Sequence, residues 1–212
     1  VGSASLVGID GLTASVTTLS VIVNKTSSLT APNAVLDFVN TADATNAADN
    51  TAVSRSIATG PAPAPSVTLD IDGDEGVLLQ VMADLTLDVF GFVTLDGSLA
   101  FKKATGSFVI TDAGTHASTA LSNVGYLEIG GHVNTAFAGV GSIGFELTDV
   151  DFGILMVSDP KATPLVTTDD VNYMALKAEV GSASLVGIDG LTASVTTLSV
   201  IVNKTSSLTA PN

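Results

Sequence analysis

Between residues 77 and 101 the chain reads VLLQVMADLTLDVFGFVTLDGSLAF, and every odd position in it is apolar or Gly. The even positions include Gln80, Asp84, Thr86, Asp88, Thr94 and Asp96, with Leu78, Met82, Phe90, Phe92 and Ala100 as apolar exceptions. A period of two is what a half-buried strand requires, whereas a helix would repeat every 3.6 residues. Taken as one strand the segment would span about 80 Å, well beyond the usual strand length. A fold-back is therefore expected inside it. Asp96-Gly97 is the predicted turn, because Asp-Gly suits a two-residue type I′ hairpin, and Gly91 marks a second place for a bend.

The following segments have the same grain. FKKATGSFVI predicts a hairpin with residues 103–106 as its turn, and GYLEIGGHVNTAF alternates from Leu127 to Phe137. Two segments change phase partway. In GSIGFELTDVDFGILM the apolar set runs Ile143, Phe145, Leu147 and then Val150, Phe152, Ile154, Met156. In LTASVTTLSVIV it runs Leu191, Ala193, Val195 and then Leu198, Val200, Val202. A one-residue slip turns every later side chain to the other face, so each change of phase predicts a bulge that bends a long strand. Residues 40–65 differ: periodicity fades and the segment ends in Pro61, Pro63 and Pro65. This stretch is read as a long loop or an inter-unit connection, with its Pro-Ala run extended and stiff.

A second regularity lies on a larger scale. VGSASLVGIDGLTASVTTLSVIVNKTSSLTAPN occupies residues 1–33 and, letter for letter, residues 180–212. Different neighbours demand different side chains, so two identical 33-residue stretches are expected from tandem repetition rather than from two parts of one domain. On this reading residues 1–179 are one repeat period and residues 180–212 begin the next.

Composition sharpens the picture. Aromatics are only 5 % of a chain that is 46 % hydrophobic, which suits thin layers of Val, Leu, Ile and Ala better than a thick aromatic core. The net charge of −14 argues against a nucleic-acid partner, which needs basic surface, and favours divalent cations. Cysteine is absent, which removes disulfides and thiolate metal sites. Despite the high overall hydropathy, Asp, Ser and Thr interrupt each apolar stretch before a membrane-spanning length is reached.

The chemistry the sequence offers is sparse. No Gly-x-Ser-x-Gly elbow, P-loop or HExxH motif occurs, and His116 and His132 fall at polar positions, so no catalytic residue is assigned and an enzyme is not expected. GVGSIG at residues 139–144 resembles a phosphate loop but lacks the helix such a loop requires, and is read as turn and strand. The best metal candidate is LDIDGDEG, whose Asp70, Asp72, Asp74 and Glu75 are spaced closely enough to wrap Ca²⁺, a hard cation that takes six to eight oxygens. It is not an EF-hand, because Glu75 stands where that loop needs Gly and Val81 where it needs Glu. The competing reading is an acidic turn. Asp169 and Asp170 are weaker candidates, and Asp149 and Asp151 are expected to straddle a bulge. Asn24-Lys25-Thr26, repeated at Asn203, has the form of an N-glycosylation acceptor.

FGFVTLDGSLAFKK followed by GSFVI, together with the long exact repeat, the acidic excess and the lack of Cys, resembles giant tandem-repeat surface and adhesin-like proteins of bacteria. The texture is similar to repeats of very large proteins that carry an LEPR-XLL motif. The resemblance implies secretion, an extracellular or cell-surface location and a structural or adhesive role. The expected fold is all-β, with long bulged antiparallel strands in an elongated solenoid-like or stacked-sandwich repeat. The expected partners are neighbouring repeats of the same chain, or identical chains. A Ca²⁺-dependent adhesin stalk or binding module, an S-layer protein and a lipid-carrying β-groove are the alternatives.

Overall fold

In the computed structural model, residues 3–6, 11–39, 53–160 and 170–207 are described. Alternating apolar and polar positions become strands throughout, and the only helical turn among these residues is a 3₁₀ turn at Gly73–Glu75. The ten strands are β1 (Ser3–Leu6), β2 (Leu12–Asn24), β3 (Arg55–Ala58), β4 (Ser66–Leu69), β5 (Leu78–Val89), β6 (Val93–Thr111), β7 (Ser118–Val140), β8 (Ile143–Asp159), β9 (Val171–Val186) and β10 (Ala193–Ser207). Two units are distinguished, Val1–Ile22 with Leu79–Asn212, and Val23–Leu78.

The first unit is built on one sheet of eight strands in the order β1-β2-β5-β6-β7-β8-β9-β10, with β3 and β4 outside it, in which β1 and β2 and the run from β6 to β10 pair antiparallel. β7 has 23 residues, a span of about 75 Å. Facing pairs put like with like. Phe101, Ile129, Ile154, Leu176 and Val202 stand opposite one another in sequence from β6 to β10, and Leu99, Gly131, Phe152, Ala178 and Val200 form the next row. The alternate residues form mixed rows, such as Lys102, Glu128, Leu155, Ala175 and Asn203. One face of this stretch is thus apolar and the other mixed, as period-two patterning dictates. The tightest packing lies at one end, where Leu121, Val124 and Val157 are buried against Phe108, Ile110, Tyr126, Leu155 and Tyr173. Phe108 meets Tyr126 edge to face at 5.4 Å between ring centroids.

The phase changes are where the sequence places them. Asp149 and Thr197 both have left-handed backbone, with φ of 51° and 61°. The ladders skip Asn134, Asp149, Gly181 and Thr197 together while the pairs on either side keep their register. A register shift between Asp96 and Gly97 continues this line into β6. One kink line therefore crosses five strands, which is why no strand loses its partner at the bulge. Gly181 is required there: a Cβ at this position would lie 2.9 Å from Asp149 Cβ and 3.3 Å from Thr148 O.

Three expectations are corrected. Asp96-Gly97 is part of the kink line, not a hairpin turn. The fold-back is at Phe90-Gly91, with φ of 53° and 68°, closed by the Phe92 amide donating to Val89 O at 2.9 Å. Two successive positive φ values make a type I′ geometry, held by the Gly91 amide donating to Asp88 Oδ1 at 2.7 Å. Second, residues 103–106 do not turn; β6 runs straight through them, with only a register shift between Gly106 and Phe108. Third, the Pro-Ala run bends rather than extends. In the second unit β3 and β4 pair antiparallel, and Thr59 and Pro65 close the connection through Thr59 N to Pro65 O at 3.0 Å. Of the segment read as a loop, residues 40–52 lie outside the described residues.

Candidate interaction edges

The hairpin that opens the duplicated sequence has the same register in both copies. In the first copy Ser3, Ala4, Ser5 and Leu6 of β1 face Thr17, Val16, Ser15 and Ala14 of β2. In the second copy Ser182, Ala183, Ser184 and Leu185 of β9 face Thr196, Val195, Ser194 and Ala193 of β10, which is the same register 179 positions later (182 minus 3). The backbone signatures recur as well: φ is 54° at Thr18 and 61° at Thr197, and 80° at Gly11 and 77° at Gly190. The two copies lie at opposite ends of the sheet, with β1 outermost at one end and β10 at the other.

Their surroundings differ, and β10 runs on to Ser207 where β2 ends at Asn24. β2 has β5 on its far side, whereas β10 ends the sheet. Val16, Leu19 and Ile22 are half-buried, while the same residues in the second copy, Val195, Leu198 and Ile201, are 54 %, 43 % and 73 % exposed. β10 is thus a long edge strand with an apolar side-chain set, the kind of edge that templates pairing with another strand.

A polar chain crosses the sheet beside the kink line. Thr86 Oγ1 donates to Asp96 Oδ2 at 3.2 Å, and Asn134 Nδ2 donates to Asp96 Oδ1 at 2.7 Å. The Asn134 carbonyl then faces His132 Nε2 at 3.1 Å, and His132 Nδ1 faces Asp151 Oδ1 at 2.8 Å. Both ring nitrogens meet acceptors, so the chain is complete when the imidazole carries two protons. Its pKa is accordingly raised, first by the hydrogen bond to Asp151, which outweighs the opposing effect of desolvation, and further by that carboxylate's charge, by Asn134 and by the charge of Asp149. Asp151 stands opposite Glu179, a like-charge pair that His132 on one side and Lys177 on the other, 2.8 Å from Glu179, each offset. These hydrogen bonds link β5, β6, β7 and β8.

The acidic turn in the second unit is organised by hydrogen bonds within itself. Asp72 caps the 3₁₀ turn, accepting from Asp74 N at 2.9 Å. Asp37, which sequence reasoning did not single out, accepts from Gly73 N at 2.8 Å and Val39 N at 3.1 Å. Of Asp70, Asp72, Asp74 and Glu75, no three are grouped so as to hold a metal ion, nor are any other His, Cys, Asp or Glu among the described residues. Asp170 precedes β9, and Asp169 lies outside the described residues. Gly141 and Ser142 of the GVGSIG segment form the two-residue link between β7 and β8, closed by the Val140–Ile143 pair. His116 sits in the connection between β6 and β7 with φ of 57°. That connection is organised by Asp112, whose Oδ1 accepts from Thr115 N at 2.7 Å, Gly114 N at 2.9 Å and Thr115 Oγ1 at 3.0 Å, holding its carboxyl below the usual range. A groove of about 650 Å³ is lined by Phe101, Tyr126, Met156, Tyr173, Met174 and Lys204. Of the acceptor triplets, Asn24 is buried and Asn203 exposed. No helix among the described residues is long and apolar enough to cross a membrane.

No protein-family profile, curated protein sequence or solved structure matches the chain.

Proposed function

We propose that this chain carries the structural repeat of a secreted bacterial fibre, in which successive periods of 179 residues (180 minus 1) join end to end through their β-sheets. The observation that carries the reading is the recurrence of one hairpin, in one register, at both ends of a single meandering sheet. A sheet whose last hairpin repeats its first is related to the next copy by a simple screw or translation, which is the geometry of a repeat array. The strong negative charge keeps such an array extended and separate from its neighbours. The role is mechanical and non-enzymatic, and it suits the extracellular, cell-surface setting that the sequence resemblance implies.

The test is the length of chains carrying one, two and four periods, measured by small-angle scattering or electron microscopy, with and without Ca²⁺. The fibre reading expects a constant increment per period and a single period less stable than any longer chain. Periods that are equally stable alone and flex freely against one another would overturn it. Loosening on chelation would move the Ca²⁺-dependent stalk ahead, with the acidic turn at Asp70, Asp72, Asp74 and Glu75 as the place to look.

A further inference from the structure

We infer that the exposed edge of β10 is the docking edge for β5 of a second copy of this period, and the outer edge of β1 the reciprocal edge for a second copy's β8. The inference rests on the fibre reading and names the strands that make its joint.

Four observations converge on β5 as the occupant. β10 has the sequence, the hairpin register and the left-handed residues of β2, and β2 is hydrogen-bonded to β5 along the side that β10 leaves open. The apolar side chains that β2 half-buries are those that β10 exposes. The turn between β5 and β6 also has a seat on the first copy: the Phe90 amide donates to Gly11 O at 2.5 Å, and the Phe90 ring lies where a Gly11 side chain would begin. Gly190, the same residue in the second copy, has the same backbone conformation and open space where that ring would sit. At the opposite end, Ser182, Ala183, Ser184 and Leu185 pair with Thr148, Leu147, Glu146 and Phe145 of β8, while their counterparts Ser3–Leu6 pair on one side alone.

The two edges differ, so the contact is heterologous, and wherever the rotation between copies does not close a ring it extends one sheet from copy to copy. In the joined sheet β9 of one copy and β1 of the next are the same strand, leaving β2, β5, β6, β7, β8 and β9 as the strands each period adds. Six strands at ~4.8 Å advance the sheet by about 29 Å per copy in the hydrogen-bonding direction.

Amide hydrogen exchange tests this with an internal control, because β2 and β10 share their sequence and hence their intrinsic exchange rates. Residues 1–33 or 180–212 are segmentally labelled and followed by NMR in the present chain, and in a chain lengthened by residues 34–212 so that it spans two periods. In the present chain the outward amides of β10 are expected to exchange about tenfold or more faster than the same amides of β2. In the lengthened chain the interior copy should match β2. Rates in β10 that already equal those of β2 in the present chain overturn the inference, because the edge is then not open. So do interior-copy rates that stay fast after lengthening. In that second case a constant scattering increment would leave the fibre reading standing with separately folded periods. Conversely, newly protected amides beside a failed increment would remove the fibre reading and keep the docking edge.

Discussion

Replacing Gly181 by Ala tests the kink line. The new Cβ would sit 2.9 Å from Asp149 Cβ and 3.3 Å from Thr148 O, closer than side-chain carbons ordinarily approach. Relief requires β8 and β9 to part at the point where the ladder already skips a pair. Overpacking of this kind costs about 1–3 kcal/mol. Asp149→Gly removes the opposing Cβ and the left-handed strain of a non-Gly residue, about 1 kcal/mol, and adds backbone entropy of similar size. Alone it should be near neutral. Combined with Gly181→Ala it should recover most of the loss, a coupling of about 1–2 kcal/mol. The chain has two tyrosines and no Trp, and both, Tyr126 and Tyr173, flank the buried cluster of the first unit. Tyrosine fluorescence during urea unfolding therefore reports on the sheet that holds the kink. With a slope of about 2 kcal/mol/M, a 2 kcal/mol loss moves the midpoint by about 1 M. A Gly181→Ala midpoint within about 0.25 M of the parent, or a loss that Asp149→Gly does not reduce, would refute the steric account.

Other outcomes follow from the same physics. Leu121→Ala, at 7 % exposure in the buried cluster, should lower stability by about 2–3 kcal/mol in the same assay, whereas Val109→Ala on the neighbouring strand, at 70 % exposure, should cost under about 0.5 kcal/mol. His132 should titrate above the ordinary imidazole value in an NMR pH series. Because its folded pKa is raised, its contribution is fully present below about pH 6.5 and is lost as pH rises through the folded value; His132→Gln should flatten that dependence. The Asp112 carboxyl behaves oppositely: its pKa is lowered, so its contribution is present above about pH 3.9 and disappears as pH falls through the folded value. Asp112→Ala should abolish that acid step and speed amide exchange at Gly114 and Thr115, whose N–H groups it accepts.

How much of this was legible beforehand depended on the range of the interaction. The alternation at residues 125–137 and the phase changes near Asp149 and Thr197 are local, because a strand's faces alternate whatever lies beside it, so all-β character and bulges could be read directly. Turn choice was misread where two glycines competed. Asp96-Gly97 is the better turn by composition, yet Phe90-Gly91 turns, because the Phe90 amide and ring are engaged by Gly11, some eighty positions away. The same limit hid Asp37 beside the acidic turn and the chain from Thr86 to Asp151, whose members are dispersed along four strands and meet only through register.

By itself, then, the sequence determined that the chain is β-structured, where its strands change phase and that its first and last 33 residues are identical, since each follows from side-chain period or from identity of letters. Tertiary structure alone decided that the equivalent segments form the two ends of one sheet, one with β5 beside it and one exposed. That difference arises from neighbours far along the chain, and identical residues carry no mark of which neighbour they have.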